Sequence, residues 1–232
     1  TKLISHKIFL STIRYIDPVK REQIANSLPK YNSPIELIDN EKMIADKKLR
    51  NILNNLNEKG FCYLGKIFSK KDCEDFKNQL KDKICYNSQT EMQSDGIPLK
   101  FDSNKRPFNE KNSAYFCFDA SVTLSFKPLK EFLENKNLTN VINNYLNFPS
   151  SIYYISTWYN PPSNEQHYVH RSHRDYDDFK FLGMVIYWND IEENNGPLTF
   201  VKKSHKDKNI FEPHTKLIGE AGSVYLVDTF GL

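Results

Sequence analysis

No apolar run in this sequence approaches the roughly 20 residues that a helix needs to cross a bilayer. The opening Thr1-Lys2-Leu3-Ile4 does not build a secretory leader either, because its short apolar runs are interrupted at His6 and Lys7. A membrane partner is therefore not expected. Arginine-rich runs and basic stripes are also missing, and a formal net charge of +3 is too small to give the electrostatic footprint of a nucleic-acid binder. The four cysteines, Cys62, Cys73, Cys85 and Cys117, lack the paired spacing of a zinc site. They read as buried thiols in a reducing compartment, so a cytoplasmic location is expected. The first residue is Thr and not Met, which reads as a fragment.

What is present is a chain of 232 residues, 39% hydrophobic and 13% aromatic, enough for one large domain or a domain with an extension. Asp17-Pro18 predicts a helix start, with proline at the first helical position, running to about Leu28. Pro29 and Pro34 break the chain. A second helix is expected from Asp39, with Met43, Ile44, Leu49, Ile52, Leu53 and Leu56 as its apolar stripe and Gly60 at its end. Phe61–Gly65 reads as a strand. Ser69 and Asp72 form a capping box that opens a helix to about Ile84. Residues 86–113 are polar and turn-rich, a long loop or lid. Ala114–Phe118 reads as a strand or the start of helical packing, and Pro128–Tyr145 as one helix closed by Pro149.

From there the chain changes character. Ile152–Asn160, Phe179–Trp188, Pro197–Val201 and Gly222–Asp228 read as strands separated by loops. Helices first and strands afterwards, without helical crossovers, favour an antiparallel sandwich or barrel over a parallel sheet. The expected fold is mainly β with flanking helices, with a helical N-terminal extension over residues 1–57 and a β domain over 58–232. An interaction protein built on the N-terminal helices is a rival reading. It requires an exposed apolar face on residues 40–57.

The chemistry centres on Ser172-His173-Arg174-Asp175-Tyr176-Asp177-Asp178. On an extended segment, residues two apart project to the same side, so His173 and Asp175 aim an imidazole and a carboxylate at one spot. These are two members of the 2-His-1-carboxylate set that holds non-haem Fe(II) with open positions. Arg174 would face away, into a salt bridge with a nearby acid. Asp177 and Asp178 are expected to shape a turn.

Several segments together resemble the phytanoyl-CoA dioxygenase family of Fe(II)/2-oxoglutarate oxygenases. They are His173-Arg174-Asp175; the run from Tyr187-Trp188-Asn189-Asp190 to Gly196-Pro197-Leu198; Phe200-Val201-Lys202-Lys203-Ser204-His205, where relatives usually carry Pro-Gly before Ser-His; and Gly222-Ser223-Val224-Tyr225-Leu226-Val227-Asp228. Upstream, Leu56–Phe61 and Ser69–Cys73 are similar to the family's early strand and first helix. The likeness spans about residues 50–232.

The resemblance implies a double-stranded β-helix (jelly roll, cupin-like) core, Fe(II) as cofactor and 2-oxoglutarate and O₂ as cosubstrates. It also implies hydroxylation of a small polar or carrier-linked metabolite, with decarboxylation of 2-oxoglutarate to succinate. A non-catalytic jelly-roll binding module is the alternative. Metal ligation falls to His173 and Asp175. Relatives with a halogenating activity need a halide site in place of the carboxylate, so Asp175 favours hydroxylation. A polar side chain on the preceding strand often holds the near carboxylate of 2-oxoglutarate, and Thr157 and Asn160 are the candidates. The family's second histidine would follow Leu232, with the arginine that grips 2-oxoglutarate further on, so the chain reads as truncated at its C-terminus. His205 reads as part of a structural turn and His214 as a loop residue. His167 and His170 are expected at a loop or rim. Lys180 could serve an anion, although a lone lysine is usually solvated.

Overall fold

The computed structural model describes residues 16–27, 46–87, 98–100, 115–161 and 171–232. Helices and antiparallel sheets both contribute, so the described residues are not dominated by strand as the sequence led us to expect. The chain forms two compact units. One comprises Thr1–Ile67, Asn135–Ser150 and His173–Leu232; the other comprises Phe68–Glu134 and Ser151–Ser172.

The first unit is built around strand β9 (Ser223–Val227), buried along its whole length. It pairs antiparallel with β1 (Phe61–Lys66) on one side and β6 (Gly183–Ile186) on the other. Register explains the two cores. Cys62 and Met184 both lie opposite Leu226, and this face packs against Leu56, Tyr145 and Leu146. Phe61 lies opposite Val227 and Val185 opposite Tyr225, and that face meets Phe200, Leu217 and Tyr187. Alternate residues of one strand thus feed different clusters, as period-two geometry requires. The strand Leu198–Val201 (β7) pairs with His214–Leu217 (β8) as a separate two-stranded sheet.

Three helices complete this unit: α1 (Pro18–Ser27), α2 (Lys47–Lys59) and, later in the chain, Lys136–Leu146. The side chain of Asp46 caps α2 by accepting from the N–H groups of Lys48 and Leu49, at 2.8 and 3.2 Å. The start expected at Asp39 lies outside the described residues. Gly60 ends α2 at φ +88°, with its N–H donating to Leu56. A β carbon on Gly60 would stand 2.6 Å from Nδ1 of His205 and 2.7 Å from the Phe200 ring, so the position requires glycine twice over. Ile52, Leu53 and Leu56 pack on the sheet cluster around Leu226. Along the described part of residues 40–57 the apolar stripe is therefore packed on the sheet, Leu56 fully buried and Ile52 and Leu53 partly so, against the interaction-protein reading.

In the second unit, a four-stranded antiparallel sheet runs in the order β3 (Pro98–Lys100), β2 (Ile84–Asn87), β4 (Phe116–Phe118), β5 (Thr157–Tyr159). Helix α3 (Lys70–Leu80) opens with the expected capping box of Ser69 and Asp72. It stops at Leu80, four residues before the expected end, and Ile84 instead starts a strand. Phe76 and Phe126 pack with ring centroids 5.0 Å apart, and Phe68 meets Phe132 edge-on at 5.5 Å. The stretch read as one helix from Pro128 divides into Lys127–Leu133 (α5), preceded by the short α4 (Ala120–Leu124), and Lys136–Leu146 (α6). Asn135 causes the division. Its side chain accepts from the N–H groups of Asn137 and Leu138, at 3.0 and 3.2 Å, and so starts a new helix.

All four cysteines are free and buried. Burial pushes the Cys62 and Cys85 thiols up to about 11, which keeps them protonated and unreactive.

In the turn after β7, Lys203 adopts φ +69°. Left-handed backbone costs an ordinary L-residue about 1–2 kcal/mol, partly offset by the greater freedom glycine loses on folding. Lys203→Gly is expected to raise stability by about 0.5–1 kcal/mol, read as a higher urea midpoint. An unchanged or lower midpoint would show that the Lys203 side chain contributes more than its backbone costs.

Candidate metal centre

The motif segment carries no ladder of its own, yet it is held by four contacts, three to the chain beyond β9 and one to Ser204 in the turn after β7. The Asp175 N–H donates to the Thr229 carbonyl at 2.9 Å. Arg174 Nη1 donates to the carbonyls of Ser204 (2.5 Å) and Phe230 (2.7 Å). Tyr176 meets the Phe230 ring edge-on, centroids 5.7 Å apart. Residues 174 and 176 therefore turn toward Phe230. His173 and Asp175, between and beside them, share the other direction: His173 Nε2 lies 3.5 Å from Asp175 Oδ1. Both side chains are open to solvent, at 49% and 39% exposure.

Arg174 does face away from the pair, but its partners differ from those expected. Backbone carbonyls, and not an acid, take its donors. A planar guanidinium can serve two carbonyls at once, which a single salt bridge would not require. Asp178 shapes the following turn by accepting from the Phe179 N–H at 2.6 Å.

An imidazole nitrogen and a carboxylate oxygen bound to one ion at about 2.1 Å each are about 3 Å apart when they subtend a right angle, and about 3.4 Å at a tetrahedral angle. The observed 3.5 Å fits this bite with a small side-chain adjustment. The donor set, one nitrogen and one carboxylate oxygen, suits Fe(II). Among the described residues, no group of three His, Cys, Asp or Glu side chains is placed to hold a metal. His205 is buried elsewhere in the unit and His214 begins β8. His6, His167 and His170 lie outside the described residues.

Thr157 and Asn160 belong to the second unit. Thr157 is buried on β5, and its hydroxyl pairs with that of Thr123 at 3.0 Å. Asn160 is exposed just after the strand. The expected loop or lid, 86–113, falls mostly outside the described residues, and its described parts, 86–87 and 98–100, are strand.

A paired imidazole and carboxylate, in a loop segment bonded to the chain just beyond an antiparallel sheet, mark a candidate mononuclear metal site. The model of the phytanoyl-CoA dioxygenase (PhyH) family matches residues 56–222, a span that holds β1, the His173–Asp175 segment and both strands of the β7–β8 sheet, and the chain belongs to that family. Its members are generally Fe(II)/2-oxoglutarate-dependent dioxygenases. A search among curated proteins finds no match. Among the described residues no helix is long and apolar enough to cross a membrane.

Proposed function

We propose that this protein is an Fe(II)/2-oxoglutarate-dependent dioxygenase that hydroxylates a small polar or carrier-linked metabolite. The observation that supports it most directly is the 3.5 Å approach of His173 Nε2 to Asp175 Oδ1 within the family's matched span. When bound, the iron would activate O₂ at the expense of 2-oxoglutarate. The chain's own residues do the rest. His173 and Asp175 would hold the ion from one side and leave its other positions open. Asp175 would contribute the negative charge that favours a divalent cation. Arg174 and the Asp175 N–H fix the backbone, so the two donors are set before the ion arrives.

The reading extends to a jelly-roll core, with the β1–β9–β6 sheet and the β7–β8 sheet as parts of its two layers. Thr157 and Asn160 remain candidates for the near carboxylate of 2-oxoglutarate. A cytoplasmic setting and the absence of nucleic-acid and membrane partners belong to the same proposal.

The test, on the protein as its gene encodes it, is 2-oxoglutarate consumption with Fe(II) and O₂, followed as succinate release across a panel of small polar and carrier-linked metabolites. Succinate release that a substrate stimulates supports the reading. Iron binding without any 2-oxoglutarate consumption would sink it in favour of a binding module.

A further inference from the structure

Away from the His173–Asp175 pair, the first unit contains a small cavity of about 30 Å³, walled by Arg21, Glu22, Tyr145, Lys180, His205 and Asp228. Two of these side chains are more than nine-tenths buried and still have polar atoms without a hydrogen-bond partner. Arg21, 4% exposed, lacks one at Nε; His205, 7% exposed, lacks one at both ring nitrogens. The backbone of Asn57 favours the charged ring without making a hydrogen bond of normal geometry to either nitrogen. Native interiors satisfy nearly all such atoms. Three unsatisfied atoms around one cavity therefore point to an occupant.

The surroundings restrict what the occupant is. Arg21 already uses one terminal nitrogen on the Asp178 carbonyl at 2.9 Å, and its guanidinium lies 3.6 Å from the Phe230 ring centroid. Its Nε–H is left without a partner. The Asp228 carboxylate is also engaged, accepting from the Tyr145 hydroxyl at 2.6 Å and the Phe230 N–H at 3.2 Å. Lys180 Nζ stands 3.5 Å from Glu22 and 4.7 Å over the Tyr145 ring. Burial holds His205 neutral, so one ring nitrogen donates and the other accepts. Arg21, Lys180 and the neighbouring Lys206 outnumber Glu22 and Asp228, which leaves a surplus of positive charge around the Arg21 Nε–H and the His205 ring. The volume admits about two waters' worth of matter.

We propose that this cavity is a binding site for a small monoanion, a carboxylate of formate size or a chloride ion, held between the Nε–H of Arg21 and a ring N–H of His205 under the field of Lys180. Two donors converging on one acceptor, with excess positive charge behind them, favour an anion over neutral water. The site ties α1 to the turn after β7 and to the end of β9. It also explains why α1, which lacks an apolar stripe, turns Arg21 inward together with Pro18 and Ala25.

The test is a titration of the chain, labelled with ¹⁵N at histidine, with sodium formate and separately with sodium chloride. Ionic strength is held constant with gluconate, which is too large for the cavity. The His205 resonances are assigned by their loss in His205→Gln. A saturable shift of those resonances is expected with at least one salt, and the lower midpoint names the occupant. Lys180→Gln, which removes one positive charge from the cavity wall, is expected to raise that midpoint about fivefold. Absence of a saturable shift with both salts would mean ordered water only. Either that result or an unchanged midpoint in Lys180→Gln overturns the proposal.

Discussion

Alanine at either His173 or Asp175 is expected to lower Fe(II) affinity roughly a hundredfold or more, and to take 2-oxoglutarate consumption below detection. The loss is attributable to the site because both side chains are largely exposed. They are 49% and 39% exposed, and exposed substitutions away from special features usually stay within about 0.5 kcal/mol. The contacts that hold the segment in place survive both changes. Arg174 keeps its two carbonyls, and the Asp175 N–H bond to Thr229 belongs to the backbone. Urea midpoints are therefore expected to match the parent chain, while anaerobic calorimetry with Fe(II) shows the loss. Asp177→Asn, at the bend that follows the pair, serves as the control and is expected to bind iron normally. Unchanged iron binding in both alanine variants would remove the basis for the metal assignment.

The parts of this molecule that follow from short-range chemistry were legible in the sequence. Pro18 at a helix start, Gly60 at a helix end and the Ser69–Asp72 box each fix backbone groups within a few residues, and each appears as expected. The His-x-Asp pair was legible for the same reason, because period-two geometry needs only three residues. What was not legible depends on partners far along the chain. Strand β8 is four residues, His214–Leu217, after a proline, and its place is defined by pairing with β7 and not by any pattern of its own. Asn135 looked like one polar residue within a helical period, yet its side chain outcompetes helix continuation by capping the next one. Arg21 looked like one more solvated charge in a polar segment. Its burial follows from Phe230 and Asp178, more than 150 residues away. His205 was correctly placed in a turn, but nothing local showed that both its nitrogens would be buried without partners.

That burial has a measurable consequence for acid stability. The His205 imidazole is held down from its ordinary value of 6.5 to about 4, first by desolvation and then by the charge of Lys206, with Lys180 adding to it; Glu22 and the Asn57 backbone act the other way. An unfolded chain takes up the proton near pH 6.5, whereas the folded chain resists until about pH 4. Between those values the unfolded state binds more protons, so stability is present above pH 6.5 and is lost as pH falls toward 4. A depression of this size corresponds to about 3 kcal/mol. Asp228 works in the opposite sense: burial raises its carboxyl, so it gains stability as pH falls through its own window. The two are separated by comparing the parent chain with His205→Gln, which retains a donor and an acceptor but does not titrate. In a buffer free of small anions, urea midpoints from pH 7 to pH 4 are expected to fall more steeply in the parent, the gap between the curves widening by about 3 kcal/mol. Parallel curves would show that His205 takes its proton in the folded state as easily as in the unfolded one, so that the cavity does not keep the ring neutral.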